Sequence, residues 1–165
     1  MKRFIKTLNQ NFTLDIDSYY DLHKWSIDNI DVFWREFLLF SGIQYEGDID
    51  SVVNNQKKMP GAEWFKDVRL NYAENLLRVN DDSIAIESYD ESGSKVTLTY
   101  RELNQKVRSL NSFLRSIGIK KGDRVAAIIP NIPEAIIMML ASSSLGAIWT
   151  SCSPEFGTNA ILDRF

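Results

Sequence analysis

The stretch "KKGDRVAAIIPNIPEAIIMMLASSSLGAIWTSCS", residues 120–153, decides the fold. It opens on a Gly-containing turn, and Val125 to Ile129 then run apolar at every position. A strand that is apolar on both faces suits a parallel sheet covered on both sides. Pro133 and Glu134 carry the signals of a helix start, Ala135 to Leu145 read as the helix, and Gly146 reads as its stop. "AIWTSCS" then reads as a second buried strand. Strand, helix and strand within about thirty residues make a βαβ unit, expected to be right-handed. The stretch is apolar enough to suggest a membrane span, but Pro130, Asn131, Pro133 and Glu134 interrupt it. The uninterrupted part is too short to span a bilayer. The expectation is a soluble α/β protein without a membrane partner.

Upstream, Leu103, Val107, Leu110, Leu114 and Ile117 follow spacings of four, three, four and three, one stripe of a helix. Thr99 precedes it with Glu102 three residues on, the pattern of a capping box, and Gly118 supplies its stop. "SIAIES" (83–88) and "VTLTY" (96–100) alternate apolar and polar around "YDESGSK", which predicts two strands and a turn. Downstream, "PEFGTNAILDRF" begins another helix near Thr158.

The first half of the chain is helical and aromatic. Ser18 with Asp21 predicts a cap for a short helix carrying Tyr19, Leu22 and Trp25. A second helix starts at Asn29 or Asp31, crowds Ile30, Phe33, Trp34, Phe37, Leu38 and Phe40 largely on one side, and stops at Gly42. Residues 1–17 show weak periodicity, and 45–58 read as a loop. "MPGAEWFKDVRLNYAENLL" (59–77) reads as a connector. In it Pro60 and Gly61 turn the chain, and Trp64 and Phe65 anchor it by burial. Leu70, Leu76 and Leu77 continue the seam, while Asn71 and Asn75 hydrogen-bond turn or helix-end backbone. The resulting organisation is a helical, wrapping segment over residues 1–80, followed over 81–165 by the incomplete start of an α/β domain.

Composition removes several function classes. Hydrophobic residues make up 44% and charged residues 25%, ordinary values for a folded chain. Nineteen Lys and Arg against 22 Asp and Glu give a net charge of -3, with no basic half to gather phosphates, so no nucleic-acid partner is expected. Cys152 is the only cysteine, which excludes an intrachain disulfide and fits a reducing, cytoplasmic setting. It reads as a small buried hydrophobe, and His23, the only histidine, reads as a partly exposed helix residue that offers no metal cluster.

Dinucleotide and Walker-type glycine fingerprints are absent. "GIKKGD" (118–123) could touch a phosphate, but a solvated turn explains it as well. Glu102 and Glu134 each stand three residues after a capping type, Thr99 and Asn131, so both read as caps rather than as a catalytic pair. The one stretch with a functional position is "SCSPEFG" (151–157), which follows the C-terminal end of a parallel strand, where α/β sheets bind ligands.

Several of these stretches together resemble the adenylate-forming acyl-CoA synthetases. Thr99-Tyr100-Arg101-Glu102-Leu103, Gly122-Asp123-Arg124-Val125, Ile129-Pro130-Asn131 with Pro133-Glu134, and Leu145-Gly146-Ala147 stand in the order that opens the large domain of that superfamily. "LHKWSIDNIDVFW" resembles the N-terminal helical segment of its acetyl-CoA synthetase branch. The connector at 59–77 and the ending "SPEFGTNAILDRF" are closer to the acetoacetate-activating enzymes of that branch.

The resemblance implies an acid–thiol ligase. Such an enzyme joins acetoacetate to ATP as an acyl-adenylate, releases diphosphate, and passes the acyl group to coenzyme A. ATP, CoA and Mg2+ are expected for the full-length enzyme and none for these residues alone. The implied phosphate loop, ribose-binding Asp and catalytic Lys belong beyond Phe165, so no residue here is expected to be catalytic. Ser153, Pro154, Phe156 and Gly157 occupy the place where the branch approaches CoA and are the candidate cofactor-binding residues. Two further readings stand beside this one: an acetyl- or propionyl-CoA ligase, and a free-standing binding module. Sheet edges left without later strands predict self-association.

Overall fold

The computed structural model describes residues 1–165, which form two compact units, Met1–Leu70 and Asn71–Phe165.

The first unit is built on three helices. The N-terminal residues, whose sequence shows only weak periodicity, form α1 (Lys2–Phe12), which buries Phe4 and Leu8. Ser18 caps α2 (Tyr19–Asp28) by accepting the Asp21 N–H, as its position predicts. Leu22 is buried on this helix, whereas Tyr19 stays exposed beside the exposed His23. The third helix, α3 (Ile30–Ser41), follows from Asn29, whose side chain turns back to donate to the Trp25 carbonyl at 3.0 Å. Phe4 meets the α3 rings Phe33, Phe37 and Phe40 at centroid distances of 5.8, 5.6 and 4.9 Å. These are the tilted and edge-on arrangements aromatic quadrupoles favour.

Beyond α3 two strand pairs of two residues each pin the loops. β1 (Glu46–Gly47) pairs antiparallel with β4 (Val68–Arg69), and β2 (Val53–Asn54) pairs antiparallel with β3 (Glu63–Trp64). The region read as a plain loop is therefore tied at two points, and it buries Val52. Trp64, expected to be buried, remains 46% exposed, with its ring edge-on to Trp34 at 5.7 Å. Leu70 and Leu76 are likewise exposed.

The second unit begins with the short helix α4 (Tyr72–Leu76) and the antiparallel hairpin β5 (Ile84–Tyr89) and β6 (Lys95–Thr99). Asp90 closes the hairpin turn by accepting the N–H groups of Ser92 and Ser94, both at 2.9 Å. The full capping box forms at α5 (Tyr100–Ser116). Thr99 Oγ1 accepts the Glu102 N–H at 3.2 Å, and the Glu102 carboxylate accepts the Thr99 N–H at 2.8 Å. That backbone hydrogen bond holds the Glu102 carboxyl below its ordinary range. Leu103, Val107 and Leu114 of the stripe are buried, but Ile117 lies beyond the last helical turn and is exposed. Gly118 follows at φ +94°, a conformation other residues rarely take.

The stretch 120–153 forms β7 (Arg124–Ile128), α6 (Pro133–Ser144) and β8 (Ile148–Cys152), the two strands pairing in parallel from Arg124↔Ile148 to Ile128↔Cys152. Asn131 does not cap α6. The preceding residue is Ile132, no side chain accepts there, and Pro133 supplies the preset first turn instead, so Glu134 has no capping box. Ile137, Leu140 and Ala141 of α6 pack with Leu103, Val107 and Leu114 of α5, and with Ala73 and Leu98, into one core. Cys152 is buried at the end of β8, and α7 (Thr158–Arg164) follows. No helix is long and apolar enough to cross a membrane.

Candidate functional site

Parallel pairing brings the C-terminal ends of β7 and β8 side by side, and the loops that leave them therefore face each other. The Ile129 N–H donates to the Cys152 carbonyl at 3.0 Å, which extends the pairing by one step before the strands part. A concavity of about 370 Å³ opens there. Ile129, Pro130 and Asn131 line it from the β7 side, Ala135 from the first turn of α6, and Ser151, Cys152 and Ser153 from β8. Phe156 and Arg164 complete the lining.

The four residues singled out by sequence divide here. Ser153 lines the concavity; its carbonyl accepts the Phe156 N–H at 3.2 Å, and its Oγ accepts the Glu155 N–H at 3.4 Å. Phe156 lines it too and is 45% exposed, so its ring offers an open apolar wall. Pro154 is exposed and is not among the lining residues. Gly157 sits ahead of α7 with φ -64°, and its carbonyl accepts the Ile161 N–H at 3.2 Å, so it turns the chain rather than lining the hollow. Sequence reasoning did not identify Asn131 and Arg164 as lining residues. The parallel pairing implied by the β7 run carries the first signal: two parallel strands must send both loops to one edge.

The lining is apolar on the side of Ile129, Pro130, Ala135 and Phe156, and polar at Asn131, Ser151 and Ser153, with one cation at Arg164. None of these lining residues is a carboxylate or a histidine. A second hollow, of about 550 Å³, lies where α4, α5 and α6 meet. Its amides are already engaged: Asn104 Nδ2 donates to the carbonyls of Val79 and Tyr100, and Asn111 Nδ2 donates to Ser144 Oγ at 2.6 Å. Satisfied amides of this kind hold helices together and leave little for a ligand.

A family model described as "AMP-binding enzyme" matches residues 73–165, and one described as "Acetyl-coenzyme A synthetase N-terminus" matches residues 19–76. An acetoacetyl-CoA synthetase of Macaca fascicularis is 43% identical over 168 residues, covering 100% of this chain and 25% of that protein. A malonamoyl-CoA synthetase of Penicillium aethiopicum is 39% identical over 171 residues, covering 99% of this chain and 24% of its own length. The solved structure of an acetoacetyl-CoA synthetase from Streptomyces lividans superposes with a TM-score of 0.90 at 36% identity, over 99% of this chain and 26% of that one. The chain thus spans about a quarter of the length of the curated relatives it matches. With the first of the two models covering more than half of its residues, the chain belongs to the AMP-binding enzyme family, and over its whole length it resembles the acetoacetyl-CoA synthetases.

Proposed function

We propose that this chain is the N-terminal part of an ATP-dependent acetoacetate–CoA ligase. Acetoacetate, ATP and CoA become acetoacetyl-CoA, AMP and diphosphate through an acyl-adenylate. The observation that carries this reading is likeness to acetoacetyl-CoA synthetases along the entire chain, in both units, rather than over the shared AMP-binding part alone.

Within that reaction the residues described have a binding and scaffolding role. Ser153, Pro154, Phe156 and Gly157 form the loop past which CoA approaches, with Ser153 and Phe156 on the concave side. The family resemblance supports assigning formation of the acyl-adenylate to residues outside the quarter of the relatives that this chain matches.

A second reading of the acid rests on the malonamoyl-CoA synthetase relative. Malonamate and acetoacetate are near-isosteres that differ by an amino group in place of the terminal methyl. Both present a carbonyl two bonds from the carboxylate. The complete reading frame containing this chain should be assayed for AMP release with ATP, CoA and a panel of acetate, propionate, acetoacetate and malonamate. Acetoacetate is expected to give the highest kcat/KM. A preference for malonamate would move the assignment to the second reading, and a preference for acetate or propionate would overturn both.

A further inference from the structure

The turn that enters β7 carries charge that no contact in the fold uses. Over residues 115–124, "RSIGIKKGDR", Arg115, Lys120, Lys121 and Arg124 stand against one carboxylate, Asp123, in a chain whose net charge is -3. Asp123 Oδ2 accepts the Lys120 N–H at 2.8 Å, and the ion pairs of the second unit join other residues, Lys95 to Glu87 and Arg101 to Asp82. Arg115 donates from Nε to the neutral Asn111 side chain at 2.9 Å, so its charge is uncompensated too. The fold gathers these groups at one edge. α5 ends at Ser116, the Asp123 N–H closes the turn on the Lys120 carbonyl at 3.1 Å, and the Gly122 N–H ties it to the Gly146 carbonyl at 3.0 Å. The four cations therefore lie at the N-terminal end of the parallel pair, the end away from the concavity. This turn stands clear of the body: a Cβ added at Gly118 or Gly122 would meet no atom within 4 Å. Beside it Phe113 and Ile117, at the end of α5 and outside its buried stripe, are each more than half exposed. A cation at a helix C-terminus is ordinary, which accounts for Arg115. It does not account for Lys120, Lys121 and Arg124, or for the bare apolar pair among them.

We propose that this edge docks the protein on an anionic lipid surface, with Arg115, Lys120, Lys121 and Arg124 among the headgroups and Phe113 and Ile117 in the interface. Charge complementarity selects the occupant, since clustered cations beside exposed apolar side chains supply the two signals that peripheral binding needs. A turn that projects from the body also suits a flat surface better than an extended peptide, which is held in a groove or along a sheet edge. The contact lies on the bilayer and crosses nothing: no helix is long and apolar enough to span one. The expectation of no membrane partner rested on the want of such a span, which leaves peripheral contact open. Because the chain is negative overall, docking depends on orientation. With a Debye length of about 10 Å at 0.1 M salt, the cations at the surface outweigh the more distant carboxylates.

The test sediments the complete protein containing this chain with vesicles of phosphatidylcholine alone, and with vesicles of phosphatidylcholine and phosphatidylserine in equal parts. The protein should bind the charged vesicles, leave the neutral ones, and be released as salt rises. Lys120→Gln with Lys121→Gln should weaken binding about thirtyfold, at about fivefold for each cation removed. Ile117→Asn should weaken it severalfold with the salt dependence unchanged, because it removes buried apolar area and no charge. All three positions are exposed, so melting temperatures equal to that of the unaltered protein would verify that the variants still fold. Equal binding to both kinds of vesicle, binding to neither, or undiminished binding by the double variant would overturn the proposal. So would a preference for soluble poly-glutamate over the charged vesicles that the double variant abolishes, since the edge would then belong to an acidic protein partner.

Discussion

Asn71 does two jobs with one amide. Its Oδ1 accepts the Glu74 N–H at 3.1 Å and so caps α4, while its Nδ2 donates to the carbonyls of Ser143 and Ser144 at 3.0 and 3.3 Å. Both carbonyls lie in the last turn of α6, where helix acceptors run out of intrahelical donors, and that of Ser143 also accepts the Gly146 N–H at 2.9 Å. Asn71→Ser should keep the cap and lose the clamp, destabilising the second unit by about 1–2 kcal/mol in urea unfolding. Asn71→Asp keeps the same acceptor but sets a carboxylate against two carbonyl oxygens at the negative end of a helix, so it should cost more than Asn71→Ser. Equal stability of the two variants would mean that the donated hydrogen bonds contribute nothing.

A contrasting case on α6 is Ser142, fully buried with no partner for its Oγ. A buried, unmatched hydroxyl loses hydration without replacement, so Ser142→Ala should leave the melting temperature unchanged or raise it. A fall of several degrees would show that the hydroxyl is in fact satisfied.

Elements differ in how openly the sequence announces them, and the difference is physical. The start of α5 is legible because its signal is local: Thr99 and Glu102 satisfy each other's backbone donors within four residues. Charge makes this cap pH-dependent. The Glu102 carboxyl is depressed, chiefly by the Thr99 backbone N–H. Its contribution to stability is therefore complete above the unfolded carboxyl value of roughly 4.3 and is lost as pH falls through the lower folded value. Glu102→Gln, whose amide oxygen still accepts that N–H, should remove this component of the acid-induced loss of stability. Urea midpoints between pH 7 and pH 2.5 that fall in parallel for both proteins would reject the assignment.

By contrast α1 was not legible. Its apolar residues Phe4, Ile5, Leu8 and Phe12 stand among Lys, Asn and Gln, no side chain caps the helix, and the rings that cover Phe4 come from α3, some thirty residues on. Leu8 is nevertheless completely buried, and Leu8→Ala should cost the first unit about 2–5 kcal/mol. Trp64 shows the opposite error. Its size predicted burial, yet no local signal says how much of a ring its neighbours will cover. The site follows the same rule: Ser153 and Phe156 stand directly after a recognisable strand, whereas Arg164 joins them only through the path of α7.

At the scale of the whole chain, the boundary between the two units falls inside the connector 59–77. Asn71, Ala73 and Leu77 fold with the second unit, while Trp64 and Phe65 belong to the first. Each unit leaves apolar surface uncovered. In the first, Trp34, Phe37, Phe40 and Trp64 are each about two-fifths exposed or more. In the second, β7 and β8 form a sheet of only two strands, so each has a free edge. The register Arg124↔Ile148, Ala126↔Thr150, Ile128↔Cys152 sets these residues on one face. On it Ile128 and Ile148 are both 54% exposed. A short parallel sheet with open edges and bare isoleucines is a template for pairing with another copy. The 165-residue chain should therefore associate as its concentration rises, with a light-scattering mass above the 19.0 kDa of one chain. Ile128→Lys with Ile148→Lys should lower that mass, because a charge on each isoleucine position opposes stacking without touching the α5–α6 core. Were the doubly substituted chain to associate as strongly as the original, the contact would lie elsewhere. The aromatic face of α3, tested by Trp34→Lys, would then be the surface to examine.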